Sequence, residues 1–177
     1  MLFDTHAHLN FNAYKEDSNE VIKRTLKQGV FIINVGSQYS TSRRAVEIAE
    51  RYNEGVYAAV GLHPIHLASD LVKIIDDEEE TEIAGSGEEF DIEKYRELAK
   101  SEKIVAMGEV GLDYYRRPKS KAKLEEFKEK QRGVLLEQLK LAQELDLPVI
   151  FHCRFAHDDL IKILESQKLR GVIHCFT

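Results

Sequence analysis

The chain has 177 residues, 43% of them hydrophobic and 32% charged, and a formal net charge of -6. That length predicts one domain, the composition is that of an ordinary soluble protein, and no apolar run is long enough to span a bilayer. The charge is uneven: residues 76–93 hold ten acids and no base, which leaves 21 acids against 25 bases elsewhere. The body is therefore mildly basic, and it tolerates a polyanionic substrate without demanding one. The two cysteines, Cys153 and Cys175, make neither a disulfide framework nor a zinc knuckle. No charged-then-apolar leader precedes Asp4, so no signal peptide is expected, and a reducing cytoplasm is the expected location.

In chain order, strands and helices alternate. The first strand-like run covers residues 2–9. Ser18 is a predicted N-cap for a helix reaching about Gln28, with Gly29 as its stop. A second strand is expected at 30–36, and a helix at 41–52 with Ala45, Ile48 and Ala49 at helical spacing. The third strand is expected at 56–64. Residues 70–90 then carry an acidic run, Asp76 to Glu80, and Gly85-Ser86-Gly87, and read as a solvated, flexible acidic insertion. A short helix at 91–101 leads to a fourth strand at 104–113. The longest helix, 122–145, sets Leu124, Phe127, Val134, Leu135, Leu139 and Ala142 on or near one face. A fifth strand at 148–154, a helix at 158–167 and a sixth strand at 171–176 complete the chain. Near-continuous apolar strands are those buried on both faces. Five βα units and a sixth strand predict an α/β fold: one domain over residues 1–177 with a parallel sheet and right-handed crossovers.

The polar residues fall at strand ends. His6 and His8 close the first strand, and alternation with period two places them and Asp4 on one face. His63 closes the third strand, Glu109 lies in the fourth, His152 near the end of the fifth, and His174 in the sixth. In a (β/α) barrel such ends converge on one mouth, where active sites lie. An open doubly wound sheet would spread them along a line. Unpaired polar groups are costly to bury, and a shared metal centre would satisfy all of them at once. His66 and His157 do not fit this pattern and are expected to be solvent or capping residues. Cys153 and Cys175 are expected to pack against the helix layer.

Five motifs taken together resemble the TatD family of metal-dependent hydrolases, within the amidohydrolase-like barrels. They are Asp4-Thr5-His6-Ala7-His8-Leu9, Gly61-Leu62-His63-Pro64, Gly108-Glu109-Val110-Gly111-Leu112-Asp113-Tyr114-Tyr115, Leu147 to Arg154, and Gly171-Val172-Ile173-His174-Cys175-Phe176. The resemblance implies a TIM-type barrel and hydrolysis of DNA phosphodiesters with 3′–5′ exonucleolytic character on single strands. It implies two divalent cations, one held by His6 and His8, the other by His152 and His174, with Glu109 bridging them. A carboxylate has two oxygens and can span two cations, which at about 3.5–4 Å apart clamp an in-line displacement. Mixed His and carboxylate ligands suit Zn²⁺ or Mn²⁺, and Mg²⁺ prefers oxygen. His63 is then a catalytic residue on the substrate side. Arg116 and Arg154 are expected at phosphates, and the basic run through Lys119, Lys121 and Lys123 either guides a nucleic-acid backbone or is a solvated loop. Of Tyr114 and Tyr115, one is expected to pack and the other is free to stack on a base.

Two features depart from the family pattern. Phe155 stands where the family has Asp after His-Cys-Arg, and Asp158 or Asp159 is expected to compensate. A closed barrel needs eight βα units and about 250 residues, so this sequence predicts a partial barrel without its last units and without the Asp ligand of a later strand. The expectation is a truncated record of a longer enzyme. Two alternatives remain: a D-aminoacyl-tRNA deacylase or other amidohydrolase-type hydrolase using the same metal chemistry, and an inactive partial barrel.

Overall fold

The computed structural model describes residues 2–67, 88–115 and 117–175. Six strands form one parallel sheet: β1 (Leu2–Ala7), β2 (Val30–Val35), β3 (Val56–Val60), β4 (Ile104–Asp113), β5 (Val149–Arg154) and β6 (Gly171–Ile173). Five α-helices connect them: α1 (Ser18–Lys27), α2 (Tyr39–Ala49), α3 (Ile92–Leu98), α4 (Lys121–Glu144) and α5 (His157–Leu164). The spatial order of the strands is their chain order, and every neighbouring pair is parallel. An order that never reverses is that of a curling sheet with all helices outside, a half-barrel. A doubly wound sheet reverses order at its switch point.

The core has two parts. The larger lies between sheet and helices and includes Ile22, Ile32, Ala45, Val56, Leu112, Leu135, Leu139 and Leu160. The smaller is a layer on the concave face: Val35, Ala59, Ala106 and Ile150, one from each of the four inner strands. The outer strands are open, and Leu2, Phe3 and Val172 are exposed.

Most expected elements are present with trimmed ends. The N-cap position of α1 is Asp17, one residue before the expected Ser18 and without a side-chain cap bond, and Gly29 follows its C-cap in the left-handed region at φ 74°. β3 stops at Val60 and β6 at Ile173, so His63 and His174 sit on the loops that leave these strands. Most of the expected acidic insertion at 70–90 lies outside the described residues. Its end is partly packed, with only Glu89 exposed. Glu88 is half-buried, its N–H donates to the His66 carbonyl at 3.2 Å, its Oε1 accepts from the Tyr39 N–H at 3.0 Å, and the Phe90 ring stacks on Tyr95 at 4.8 Å.

Two register slips set which residues face inward. On β1 the partners run from Asp4↔Ile32 to Ala7↔Asn34, so three residues span two. Ile32 belongs to the helix-side core, so Asp4 points away from the concave face and His6 points into it. The expected sharing of one face by Asp4 and His6 fails, because a one-residue slip reverses every side chain beyond it. On β4 the slip lies between Met107 and Val110. Before it Ala106 faces inward. Beyond it Gly111 pairs with His152 and Asp113 with Arg154, and Glu109 joins them on the inner face.

Candidate metal centre

The sheet carries its polar groups to a cavity of about 450 Å³ at the C-terminal strand ends, lined by His6, His8, His63, Glu109, Asp113, His152, Arg154 and His174 among others. Glu109 is at its centre and is buried. Its Oε1 lies 2.9 Å from His152 Nδ1, and its Oε2 lies 3.1 Å from His6 Nε2. The His6 ring stacks on His174, with centroids 3.6 Å apart, and His63 meets His152 at 4.1 Å. Two donor groups result, His6–Glu109–His174 and His63–Glu109–His152, each with ligand atoms within 4.8 Å of one another. His8 is beside the first group, 4.9 Å from His6 between centroids; its Nδ1 is 2.9 Å from the Val35 carbonyl, which leaves Nε2 for the cavity.

The charges are strongly coupled. Burial works against ionising Glu109, but His152, His6 and His63 hold its carboxyl well below the usual range. His152 is also buried, which opposes its charge, yet Asp113 and Glu109 raise it to about 9. An imidazolium between two carboxylates results, with Nε2 3.1 Å from Asp113 Oδ2. His63 is pushed down to about 3 by burial and by His152. Burial lowers His8 and His174 as well.

The donor set fits a divalent cation. Both ring nitrogens of His6 are buried without a hydrogen bond, although Nε2 lies 3.1 Å from Glu109 Oε2. Buried polar atoms are nearly always satisfied, and a cation between His6, Glu109 and His174 would supply the missing partner.

Sequence reasoning passed over Asp113 as a site residue. It is buried, and its carboxyl is kept below the ordinary range, against burial, by His152 and by the Tyr115 amide, whose N–H donates to Oδ1 at 2.8 Å. The signal was Glu109-x-Gly111-x-Asp113, a period of two on one strand. Asp113 also does the work expected of Asp158 or Asp159. Asp158 is exposed, and Asp159 instead accepts from the Tyr114 hydroxyl at 3.0 Å. Tyr114 is the tyrosine that packs. His66 is buried, with Nε2 3.3 Å from Ser37 Oγ, and so is no solvent residue; His157 opens α5. Cys153 packs in the helix-side core, whereas Cys175 is exposed, turned out by a left-handed φ of 48° just after β6. Arg116 lies outside the described residues.

The loop before His63 is clamped by side chains from three helices. Ser42 of α2 and Tyr95 of α3 bond to Gly61, and Gln138 of α4 takes both main-chain groups of Leu62, at 2.7 and 3.1 Å. Two turns earlier Gln131 does the same at Asp113, at 2.8 and 3.0 Å. At Gly111 a Cβ would fall 1.9 Å from the His152 carbonyl oxygen, so only glycine lets β4 lie this close to the strand carrying His152.

Known proteins match the chain in sequence and fold. Residues 3–177 match the family model described as TatD related DNase. The chain belongs to that family. It is 39% identical over 183 residues to the uncharacterized metal-dependent hydrolase YabD of Bacillus subtilis, covering all of this chain and 61% of YabD. It is 34% identical over 180 residues to the 3'-5' ssDNA/RNA exonuclease TatD of Erwinia tasmaniensis, covering 99% of this chain and 60% of that one. The crystal structure of YjjV, a TatD homolog from Escherichia coli, superposes with a TM-score of 0.74 at 32% identity, over 99% of this chain and 60% of that one. The chain thus spans about 60% of the length of the TatD relatives it matches. Among the described residues no helix is long and apolar enough to cross a membrane. The TatD resemblance divides the histidines as His6 with His8 and His152 with His174. The side chains themselves group His6 with His174, and His63 with His152.

Proposed function

We propose that this protein is a divalent-metal phosphodiesterase that hydrolyses single-stranded DNA from its 3′ end. The observation that carries this reading is the Glu109 carboxylate, each oxygen of which faces a different pair of histidines. A bidentate carboxylate between two imidazole pairs suits two cations sharing one bridge, with Zn²⁺ or Mn²⁺ favoured by the nitrogen donors and Mg²⁺ less so. His6, His8, His152 and His174 complete the proposed ligand set. Bound cations supply Lewis-acid charge at the attacked phosphate.

The chain's own groups do the rest. His63 is neutral, and its Nδ1 accepts the Ile65 N–H at 3.1 Å. Its hydrogen is therefore on Nε2, which can donate to a phosphate oxygen in the cavity. Asp113 fixes the His152 ring through Nε2. Arg154, on the cavity wall, offers a planar fork to a second phosphate oxygen, and Arg116 is proposed for the same role. The relative named as a 3'-5' ssDNA/RNA exonuclease supports the substrate class.

The test is Glu109→Gln. Wild-type protein with Mg²⁺, Mn²⁺ or Zn²⁺ should shorten a 5′-labelled single-stranded oligonucleotide stepwise from the 3′ end. The variant should lose bound metal and slow by roughly 10²–10³-fold, as when one preorganised charge-stabilising group is removed. Unchanged metal content and rate would sink the reading. Turnover of a D-aminoacyl-tRNA in place of DNA would move the assignment to a deacylase using the same centre, and metal binding with no turnover of either would mark an inactive site.

A further inference from the structure

Beside the metal centre lies a pair of aromatic side chains that the mechanism does not use. Tyr115, two residues past Asp113, is 52% exposed, and Phe155, just past β5, is 68% exposed. Their rings stack with centroids 5.7 Å apart and planes 20° from parallel. The Arg154 guanidinium sits 3.8 Å from the Tyr115 centroid. Arg154 is itself part of the cavity wall, so the aromatic pair begins where the metal cavity ends. Asp113 and Arg154 are register partners on β4 and β5, which fixes the pair to the two strands that carry Glu109 and His152.

Two physical points argue that this is more than a stray apolar patch. Large aromatic side chains are seldom left more than half exposed as a stacked pair unless something covers them. Phe155 also has φ 55°. That left-handed region is unfavourable for a bulky residue, and such strain persists mainly where the surroundings over-determine it. Here the left-handed turn brings the Phe155 ring onto Tyr115, which packs against Arg154 of the cavity wall, and leaves it largely open to solvent.

We infer that Tyr115 and Phe155 form a stacking platform for a nucleobase adjoining the phosphate held in the metal cavity. The inference rests on the phosphodiesterase reading and adds the element that grips the strand. Every base has a π-face, so stacking tolerates sequence, and Arg154 next to it supplies the positive charge that a flanking phosphate needs. The platform requires an unpaired base, since a base within a duplex is already stacked on both sides. Single strands are thereby preferred over duplexes by geometry.

The test uses a cleavage-resistant phosphorothioate oligothymidylate carrying one 2-aminopurine, moved position by position, with the metal-loaded protein. Wild-type protein should quench the fluorophore strongly at one or two adjacent positions. Phe155→Ala should abolish that quench and weaken binding by roughly tenfold, in line with the stacking of one base. Phe155→Trp should restore both, which a merely structural role would not do. A melt of each variant reports folding, and Phe155 is exposed enough for both to fold. Binding without a position-specific quench, or a quench that survives Phe155→Ala, overturns the platform and leaves the phosphodiesterase reading standing. Failure of the wild type to bind this oligonucleotide or cleave its unmodified form under any metal overturns both.

Discussion

His152 is held between two carboxylates, Glu109 on Nδ1 and Asp113 on Nε2, and that single residue sets the pH behaviour of the metal-free centre. Its folded value of about 9 lies above the unfolded value near 6.5. A group whose folded value is raised stabilises the fold fully below the unfolded value, and that contribution is lost as pH climbs through the folded one. The window is therefore pH 6.5 to about 9. His63, His8, His174 and Glu109 are all shifted downward, so they act below that window. With chelator present, the melting temperature should fall steadily from pH 7 to pH 9, and His152→Gln should flatten that slope. An unchanged slope in the variant would show that the proton sits elsewhere. Cations compete for the same nitrogens, so metal uptake and proton release are linked. The motif made His152 visible in the sequence. Its charge was not, because Asp113 reaches the ring only through the strand pairing of β4 and β5.

At the scale of elements, α4 does more than cover the sheet. Gln131 and Gln138 are seven residues apart, on one face, and both are almost fully buried. Each takes the N–H and C=O of one residue, Asp113 at the end of β4 and Leu62 just past β3. The result is a side-chain substitute for a ladder pair beside Asp113 and one residue before His63. Gln138→Leu should leave both Leu62 groups buried and unpaired at a cost of about 3 kcal/mol, a drop of roughly 10 °C in melting temperature for a domain of this size. Gln138→Glu keeps the acceptor for the N–H but opposes the carbonyl, and should fall between. A loss within experimental error for Gln138→Leu would mean that water replaces the clamp. The helix itself was legible from its apolar residues, whereas its two glutamines looked like ordinary polar positions. Only their depth under the neighbouring elements gives them partners.

The molecule as a whole is a sheet that curls without closing among the described residues, with the donor groups spread over β1, β4, β5 and the loops after β1, β3 and β6. A cation at Glu109 would tie these elements together in the folded chain and find no such set in the unfolded one. At a hundredfold excess over its Kd, one cation should stabilise the fold by about 2.7 kcal/mol. Adding Zn²⁺ or Mn²⁺ to chelator-treated protein should therefore raise the melting temperature by roughly 5–10 °C, and Glu109→Gln should remove most of that rise. The same melting temperature with and without metal, at concentrations far above those of trace ions, would argue against a site built on Glu109.

By itself the sequence determined the alternation of strand and helix, the parallel sheet and most of the candidate donor residues, because hydrophobic period and motif are local properties of the chain. His6, His8, His63, Glu109, His152 and His174 all line one cavity, as their places at strand ends imply. What only the tertiary structure decided is which way several of them face. Simple alternation from Asp4 puts it beside His6, and from Ala106 it turns Glu109 toward the helices. A one-residue slip on β1 and another on β4 reverse both results. A slip of that kind is set by pairing with the neighbouring strand, and pairing is not written in the spacing of either strand alone. The partnership of His6 on β1 with His174 just past β6 has the same origin: it exists because the sheet curls far enough to bring the ends of its first and last strands to one cavity.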